Sequence, residues 1–394
     1  MKDSVIYVGI DVHKDTNSVC MYDRQDNAFF AEAKLDAGTD IMVRYLEKAV
    51  KDYGLSGEFL LGYEAGPTGY GLCRGLKKHG YDCVIMAPTT IRKASGDKVK
   101  TDRKDARLLS VTLASDGYRK VYLPDPSDES TKEFTRTRNT LKGHLKKAKQ
   151  NLLSFLLRVG MPYPESGNYW TDKHRNWLNT VSFNNRMLQL SFDTLWQEVK
   201  DLEAKIANLD ATIEEIANED RYKDKVDKLV CFSGIQTHTA LSIVCEIGDF
   251  KRFATAEQFS SYLGLCPSQD SSGKTQRYGS ITKCGNGRLR LLLTEATKGI
   301  KRSNPYAKSK RLLLRQQGQS PSVIAYADKG SKRIKQRIAK LERNGKPANV
   351  ATMAGARELS CFHLGHDDRE HCIGGINEQE GICIGLKEIH RFRR

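Results

Sequence analysis

The stretch VIYVGIDVHK, residues 5–14, decides the reading of the first part of the chain. Val5–Ile10 is a short apolar run with β-branched residues, the pattern of a buried strand. Asp11 follows it directly, and a carboxylate at the end of a buried strand must be paired, hydrogen-bonded or metal-bound. Working outward, Ser18–Tyr22 and Phe29–Lys34 read as two further strands. Gly38–Tyr53 has helical periodicity through Ile41, Met42, Tyr45, Leu46 and Val50. Phe59–Tyr63 and Val84–Met86 are strands again, and Asp102–Ser115 is helical. Glu64 ends its strand as Asp11 ends the first, in LLGYEAGPTGYGL (60–72). TDRKDA (101–106) opens the last helix with Asp102 and Asp105, three residues apart and so on one face.

Each of these acids is ordinary alone, since Asp caps strands and helix starts. Four of them on adjacent elements repel one another unless cations neutralise them. Hard oxygen ligands with open positions suit Mg²⁺, with Mn²⁺ as a substitute. Two such ions can stabilise the attacking and leaving oxygens of a phosphodiester. Lys98, Lys100, Arg103 and Lys104 beside the last pair suit a phosphate backbone. Three strands, helix, strand, helix, strand, helix is the order of RNase H-like nucleases. An α/β RNase H-like N-terminal domain over residues 1–125 is therefore expected.

Composition agrees with a nucleic-acid partner. The 394 residues carry 64 Lys plus Arg against 48 Asp plus Glu, a formal charge of +16. The excess gathers in clusters: 98–107, 132–149, 283–315 and 329–346. Clustered basic charge favours a polyanion over a merely solvated surface. No apolar run reaches the ~18–20 residues of a membrane helix, and the N-terminus does not read as a signal peptide. Ten cysteines without a CxxC pair read as reduced thiols of a cytoplasmic protein.

Pro124-Asp125-Pro126 breaks the chain, and residues 126–221 read as a coiled-coil or helical-hairpin segment. One apolar stripe runs through Phe134, Leu141, Leu145, Ala148, Leu152, Phe155 and Leu156. Leu188, Leu195, Leu202, Leu209 and Ile216 then recur every seven residues, with Phe192, Val199, Ile206 and Ile213 between them. That is an a/d seam, serving an intramolecular hairpin, a dimer interface, or both. Residues 222–362 read as a mostly α C-terminal domain. Leu229–Gly248 has the outline of a helix-hairpin-helix, with a plain helical hairpin equally open and His238 as polar surface. CPSQDSSGKT (266–275) reads as a flexible polar loop in which Ser271 or Ser272 could attack a phosphodiester, given activation and oxyanion stabilisation. Gly273-Lys274-Thr275 fails as a phosphate loop: position 268 is serine and no strand is expected to lead into it. Cys361, His363, His366, His371 and Cys372 match no standard zinc spacing, and residues 363–394 read as a disordered tail.

GIDVHK, GYEAGPTGYGL, KVKTDRKDARLL, GIQTHTA, SYLGLCPSQDSSGKTQRYGSITKCGNGRLR and NGKPANVATMAGAREL together resemble the DEDD-type transposases of bacterial insertion sequences, recombinases guided by a bridge RNA. The resemblance runs from about residue 5 to 362, with the motifs in order. It implies a RuvC-like N-terminal domain with Asp11, Glu64, Asp102 and Asp105 as an acidic tetrad holding Mg²⁺, a coiled-coil middle, and a C-terminal transposase domain with a nucleophilic serine. The family's Ser-Gly pair points to Ser272, with Ser271 as runner-up. It further implies target and donor DNA and a structured noncoding guide RNA as partners. It also implies a homo-oligomer, a dimer or a tetramer of paired dimers, whose composite sites join one subunit's acids to another's serine. A bacterial, nucleoid-associated protein is expected. Gln236 stands where the family often has a second glycine, and the residues after Phe362 depart from its usual ending. Three alternatives differ in chemistry. A junction-resolving nuclease hydrolyses with water alone, an actin-like ATPase needs a second phosphate motif that is absent, and a binding scaffold gains nothing from an acidic pocket.

Overall fold

The structure, a computed structural model, describes residues 5–91, 101–165, 167–272, 275–304 and 307–367. It divides into two units, Met1–Pro124 and Asp125–Arg394.

The first unit opens with β1 (Ile6–Val12), β2 (Thr16–Asp23) and β3 (Ala28–Asp36), an antiparallel meander. Helix α1 (Thr39–Tyr53), β4 (Phe59–Glu64), α2 (Gly71–Lys78), β5 (Asp82–Met86) and α3 (Asp102–Ala114) follow. The sheet order is β3-β2-β1-β4-β5, with β1, β4 and β5 parallel to one another. Strand alternation sorts the side chains. Ile6, Val8 and Ile10 of β1, with Leu61 and Tyr63 of β4, bury against Met42 and Leu46 of α1 and Leu76 of α2. The opposite face packs Tyr7 and Leu60 against Leu109 and Leu113 of α3. On that face β1 presents Gly9, where an added Cβ would stand 2.2 Å from Ala106 O and 2.3 Å from Ser110 N. The backbone of α3 thus rests directly on β1, which only a residue without a side chain permits.

The second unit begins with α4 (Pro126–Arg158), α5 (Asp172–Leu178) and α6 (Arg186–Ala217). Ion pairs Arg138–Asp210 and Lys149–Glu203 show α4 and α6 running antiparallel. Phe192, Val199 and Leu202 of the seven-residue pattern pack on Ala148, Leu152, Phe155 and Leu156 of α4. The seam read from the sequence is covered within the chain over this stretch. Helices α7 (Asp220–Val230), α8 (Thr237–Ile247) and α9 (Ala256–Tyr262) lead to a hairpin of β6 (Pro267–Ser272) and β7 (Thr275–Ile281). Helices α10 (Gly287–Arg302), α11 (Lys310–Gln316), α12 (Pro321–Arg343) and α13 (Ala348–Asp367) complete the described chain. A large core joins the end of α6 to α7 through α10, α12 and α13.

The architecture is a mixed α/β sheet followed by a mostly helical remainder. No helix among the described residues is long and apolar enough to cross a membrane. The eight described cysteines are free thiols. Three readings need correction. The polar loop at 266–275 is strand on both sides of its turn, because main-chain pairing carries the hairpin where side-chain periodicity shows nothing. Strand β6 thereby leads into 273–275, where no strand was expected, but the phosphate-loop reading still fails because β7 follows where a helix is required. His238 is half-buried rather than a surface residue, with Nε2 3.4 Å from Ser242 Oγ. Burial, aided by nearby Arg138, lowers its pKa to about 4. Helix α13 continues through Asp367, and residues 368–394, with His371 and Cys372, lie outside the described residues, as do Lys98 and Lys100.

Candidate active site

The sheet register places the acids before any side chain is considered. Asp11 of β1 faces Ser18 of β2, and Ser18 faces Lys34 of β3. Cα partners across a sheet share a face, so Lys34, Ser18 and Asp11 form one row. On the other side of β1 the parallel register ends at Ile10 opposite Tyr63. Glu64 is therefore the next residue of β4 beside Asp11, on the α3 side of the sheet. Asp11 and Glu64 end neighbouring parallel strands on the face that carries α3.

Helix α3 brings the other two acids. Thr101 caps it, its Oγ accepting from Lys104 N at 3.3 Å, and Asp102 and Asp105 occupy the first turn. Because α3 crosses β1 at Gly9 through Ala106 and Ser110, that turn sits at the Asp11 end of the strand. Acids in the first turn are also favoured by the helix dipole.

Among the described residues, Asp11, His13 and Asp102 offer one ligand atom each within 4.8 Å of one another. His13 Nε2 lies 3.1 Å from Asp11 Oδ2 and 3.7 Å from Asp102 Oδ1. Lys34 Nζ lies 3.1 Å from Asp102 Oδ2. Glu64 and Asp105 share the face but not this tight group. Burial raises the pKa of the Asp11 carboxyl; His13 pulls it down, while Asp105 and Asp102 push it up. The Lys34 ammonium holds the Asp102 carboxyl below the usual carboxylate range. Carboxylate oxygens and an imidazole nitrogen converge here around a deficit of positive charge. That donor set fits a divalent cation, and the group is an acidic site with the composition of a metal centre.

A cavity of about 660 Å³ opens beside Asp102, lined by Ser18, Glu32, Lys34, Thr101 and Arg103 among others. Glu32 accepts ion pairs from both Arg103 and Arg107, which hold its carboxyl below the usual range despite partial burial. The edge of α3, with its acid-bearing turn, is thereby tied to β3.

In the second unit Ser272 is exposed and pairs with Thr275 at the end of the hairpin. Asp270 pairs with Arg277 two positions along, so Asp270, Ser272 and Arg277 belong to one face of the ribbon. Ser271 pairs through its backbone with Gln276, and its side chain lies outside the described residues.

Much of the basic charge has internal partners. Arg136 grips the buried Glu246 at 2.7 and 3.0 Å, and Asn286 joins it at 2.8 Å. Arg138 holds Asp210 with two bonds of 2.7 and 2.9 Å. Arg333 and Arg337 both pair with Glu358. Lys142, Lys146 and Lys147 of the second cluster are exposed. His13 lies in the turn that follows β1, two residues past Asp11, where strand alternation gives no sequence signal for its side chain.

Comparison with known proteins bears on both units. A family model for a DEDD-type transposase of the IS110 group matches residues 8–161. A second, described as the Transposase IS116/IS110/IS902 family, matches residues 227–311. The chain is 32% identical over 342 residues to the transposase for insertion sequence element IS1533 of Leptospira borgpetersenii, covering 86% of this chain and 96% of that protein. It is 31% identical over 361 residues to a putative transposase of Sinorhizobium fredii, covering 90% and 87%. A probable family 20 transposase of Pseudomonas aeruginosa is 26% identical over 284 residues, covering 69% and 82%. These matches span the strands that carry the acids and reach into the unit that carries Ser272, and the chain belongs to the IS110 family of DEDD-type transposases.

Proposed function

We propose that this transposase is an RNA-guided DNA recombinase, in which the acids of an RNase H-like, RuvC-like first unit hold Mg²⁺ and Ser272 is the nucleophile. The observation that carries the reading is the convergence of Asp11 and Asp102 at the end of β1, with Glu64 and Asp105 on the same face. The β3-β2-β1-β4-β5 order supports the RNase H-like assignment.

Bound divalent cation supplies charge neutralisation for the phosphoryl group and its developing oxyanion. Asp11, Glu64, Asp102 and Asp105 hold that charge in place. Ser272 Oγ attacks phosphorus, an Oγ–P bond forms, and the bond from phosphorus to a deoxyribose oxygen breaks. The serine proton leaves as the departing oxygen gains one, so atoms balance without an external reagent. The phosphoserine link keeps the bond energy for the reverse attack that rejoins strands. Arg277, on the same ribbon face as Ser272, is suited to the phosphate charge. A structured RNA pairs with both DNA partners and carries the sequence specificity. The protein acts as a homo-oligomer in which the serine of one subunit serves the acids of another. The exposed Lys142, Lys146 and Lys147 supply sequence-independent backbone affinity.

Trapping tests the chemistry. Protein, RNA, DNA and Mg²⁺ are incubated, denatured, and analysed for a nucleotide adduct by mass spectrometry. The adduct is expected on Ser272 and absent in Ser272→Ala. Free nicked ends without any adduct would replace this reading with metal-assisted hydrolysis by water. Full recombination by both Ser272→Ala and Ser271→Ala would remove the serine from the mechanism.

A further inference from the structure

His13 belongs to the acid cluster, yet the four-acid reading gives it no task. It lies just past the end of β1, two residues after Asp11. Its amide donates to Thr16 O at 2.9 Å, fixing its backbone in the turn between β1 and β2. Its Nε2 has two carboxylate oxygens near it, at 3.1 and 3.7 Å. The first distance is that of a hydrogen bond, while the second is too long for one. The first also matches adjacent ligands of a common ion, and the second lies between the spacings of adjacent and opposite ligands. Donors bonded at ~2.1 Å in an octahedral shell stand about 3 Å apart when adjacent and about 4 Å apart when opposite. Asp11 and Asp102 come from different elements, a strand and a helix, and converge on the same ring nitrogen.

We propose that His13 Nε2 is a nitrogen ligand of the divalent cation held by Asp11 and Asp102, and that it biases the site toward Mn²⁺ and Co²⁺ over Mg²⁺. The inference rests on the reading that this cluster holds a cation. Its chemistry follows from donor type. Magnesium keeps to oxygen ligands, whereas first-row transition ions accept imidazole. An all-carboxylate site discriminates less between these ions. The turn that fixes His13 makes the nitrogen a preorganised part of the site rather than an incidental neighbour.

Pulsed EPR on Mn²⁺ bound to the full-length protein tests this without any activity measurement. Wild-type protein is expected to bind Mn²⁺ and to show ¹⁴N modulation from a coordinated imidazole. His13→Ala and His13→Gln are expected to bind Mn²⁺ without that modulation. Their Mn²⁺ affinity falls on the order of tenfold. Mg²⁺ affinity, read by competition, changes far less. Mn²⁺ bound to wild type with no nitrogen coupling, or coupling that survives both substitutions, would overturn the proposal and leave the carboxylate site standing. Equal loss of Mn²⁺ and Mg²⁺ affinity would overturn the selectivity. No Mn²⁺ binding by the wild type would remove the cation site itself and this inference with it. His13 is half exposed, so thermal unfolding of the metal-free variants is expected to match wild type.

Discussion

Gly9→Ala is the sharpest perturbation of the frame that carries the acids. The added Cβ would meet Ala106 O at 2.2 Å and Ser110 N at 2.3 Å, against ordinary contacts of 3.4–4 Å. Both are backbone atoms, so no side chain can swing aside, and α3 must withdraw from β1 by about 1 Å. Overpacking of this kind costs about 3 kcal/mol, or a fall in Tm of about 10 °C for a unit of this size. The displaced turn carries Asp102 and Asp105, and a misplacement of about 1 Å costs about a hundredfold in rate. Gly71→Ala is the control, since its Cβ meets nothing within 4 Å. Thermal unfolding and single-turnover DNA cleavage by both variants measure the effects. Wild-type Tm and cleavage rate in Gly9→Ala would refute the close seating of α3 on β1.

Asp11→Asn is expected to raise the Tm of the metal-free protein. Burial lifts the Asp11 pKa, so its favourable contribution is complete only below the unfolded value and is lost as pH rises through the folded one. The same variant should lose the Tm rise that Mn²⁺ gives wild type; scanning fluorimetry with and without metal reads both. Glu203 behaves oppositely. Its bonds from Arg175, with Lys149 adding, lower its pKa from 4.5 to about 2 despite burial. Its stabilisation is present above pH 4.5 and disappears as pH falls toward 2. Glu203→Gln is therefore expected to be less stable than wild type at pH 7, with the difference shrinking to nothing as the pH falls toward 2; unfolding followed by circular dichroism across that range reads it, and a difference that persists unchanged at pH 2 would refute it.

Legibility in the sequence followed the physics of each signal. Buried strands announce themselves by apolar runs, so β1 and β4 were visible, with Asp11 and Glu64 at their ends. A glycine in a strand does not name its neighbour, so the seating of α3 on Gly9 was not legible. The β6–β7 hairpin was hidden because Ser268, Gln269, Asp270, Ser271 and Ser272 carry no apolar alternation; its order lies in main-chain pairing. The partners of Arg136 and Arg138 lie 110 and 72 residues away, so a charge count could not separate internal ion pairs from free cationic surface. His13 was not legible because a lone histidine just past a strand end carries no periodicity or spacing that separates a ligand from polar surface; only the fold brings Asp102 to it.

The central claim is that Asp11, Glu64, Asp102 and Asp105 serve one divalent cation. Fe²⁺ in place of that cation, supplied with hydrogen peroxide and ascorbate, reduces the peroxide to hydroxide and a hydroxyl radical that cuts the backbone beside the metal, and ascorbate returns Fe³⁺ to Fe²⁺. The account predicts fragments from cuts near residues 11, 64 and 102–105 together, all suppressed by excess Mg²⁺. Cuts that spare the Glu64 segment, or that persist unchanged in excess Mg²⁺, would contradict it.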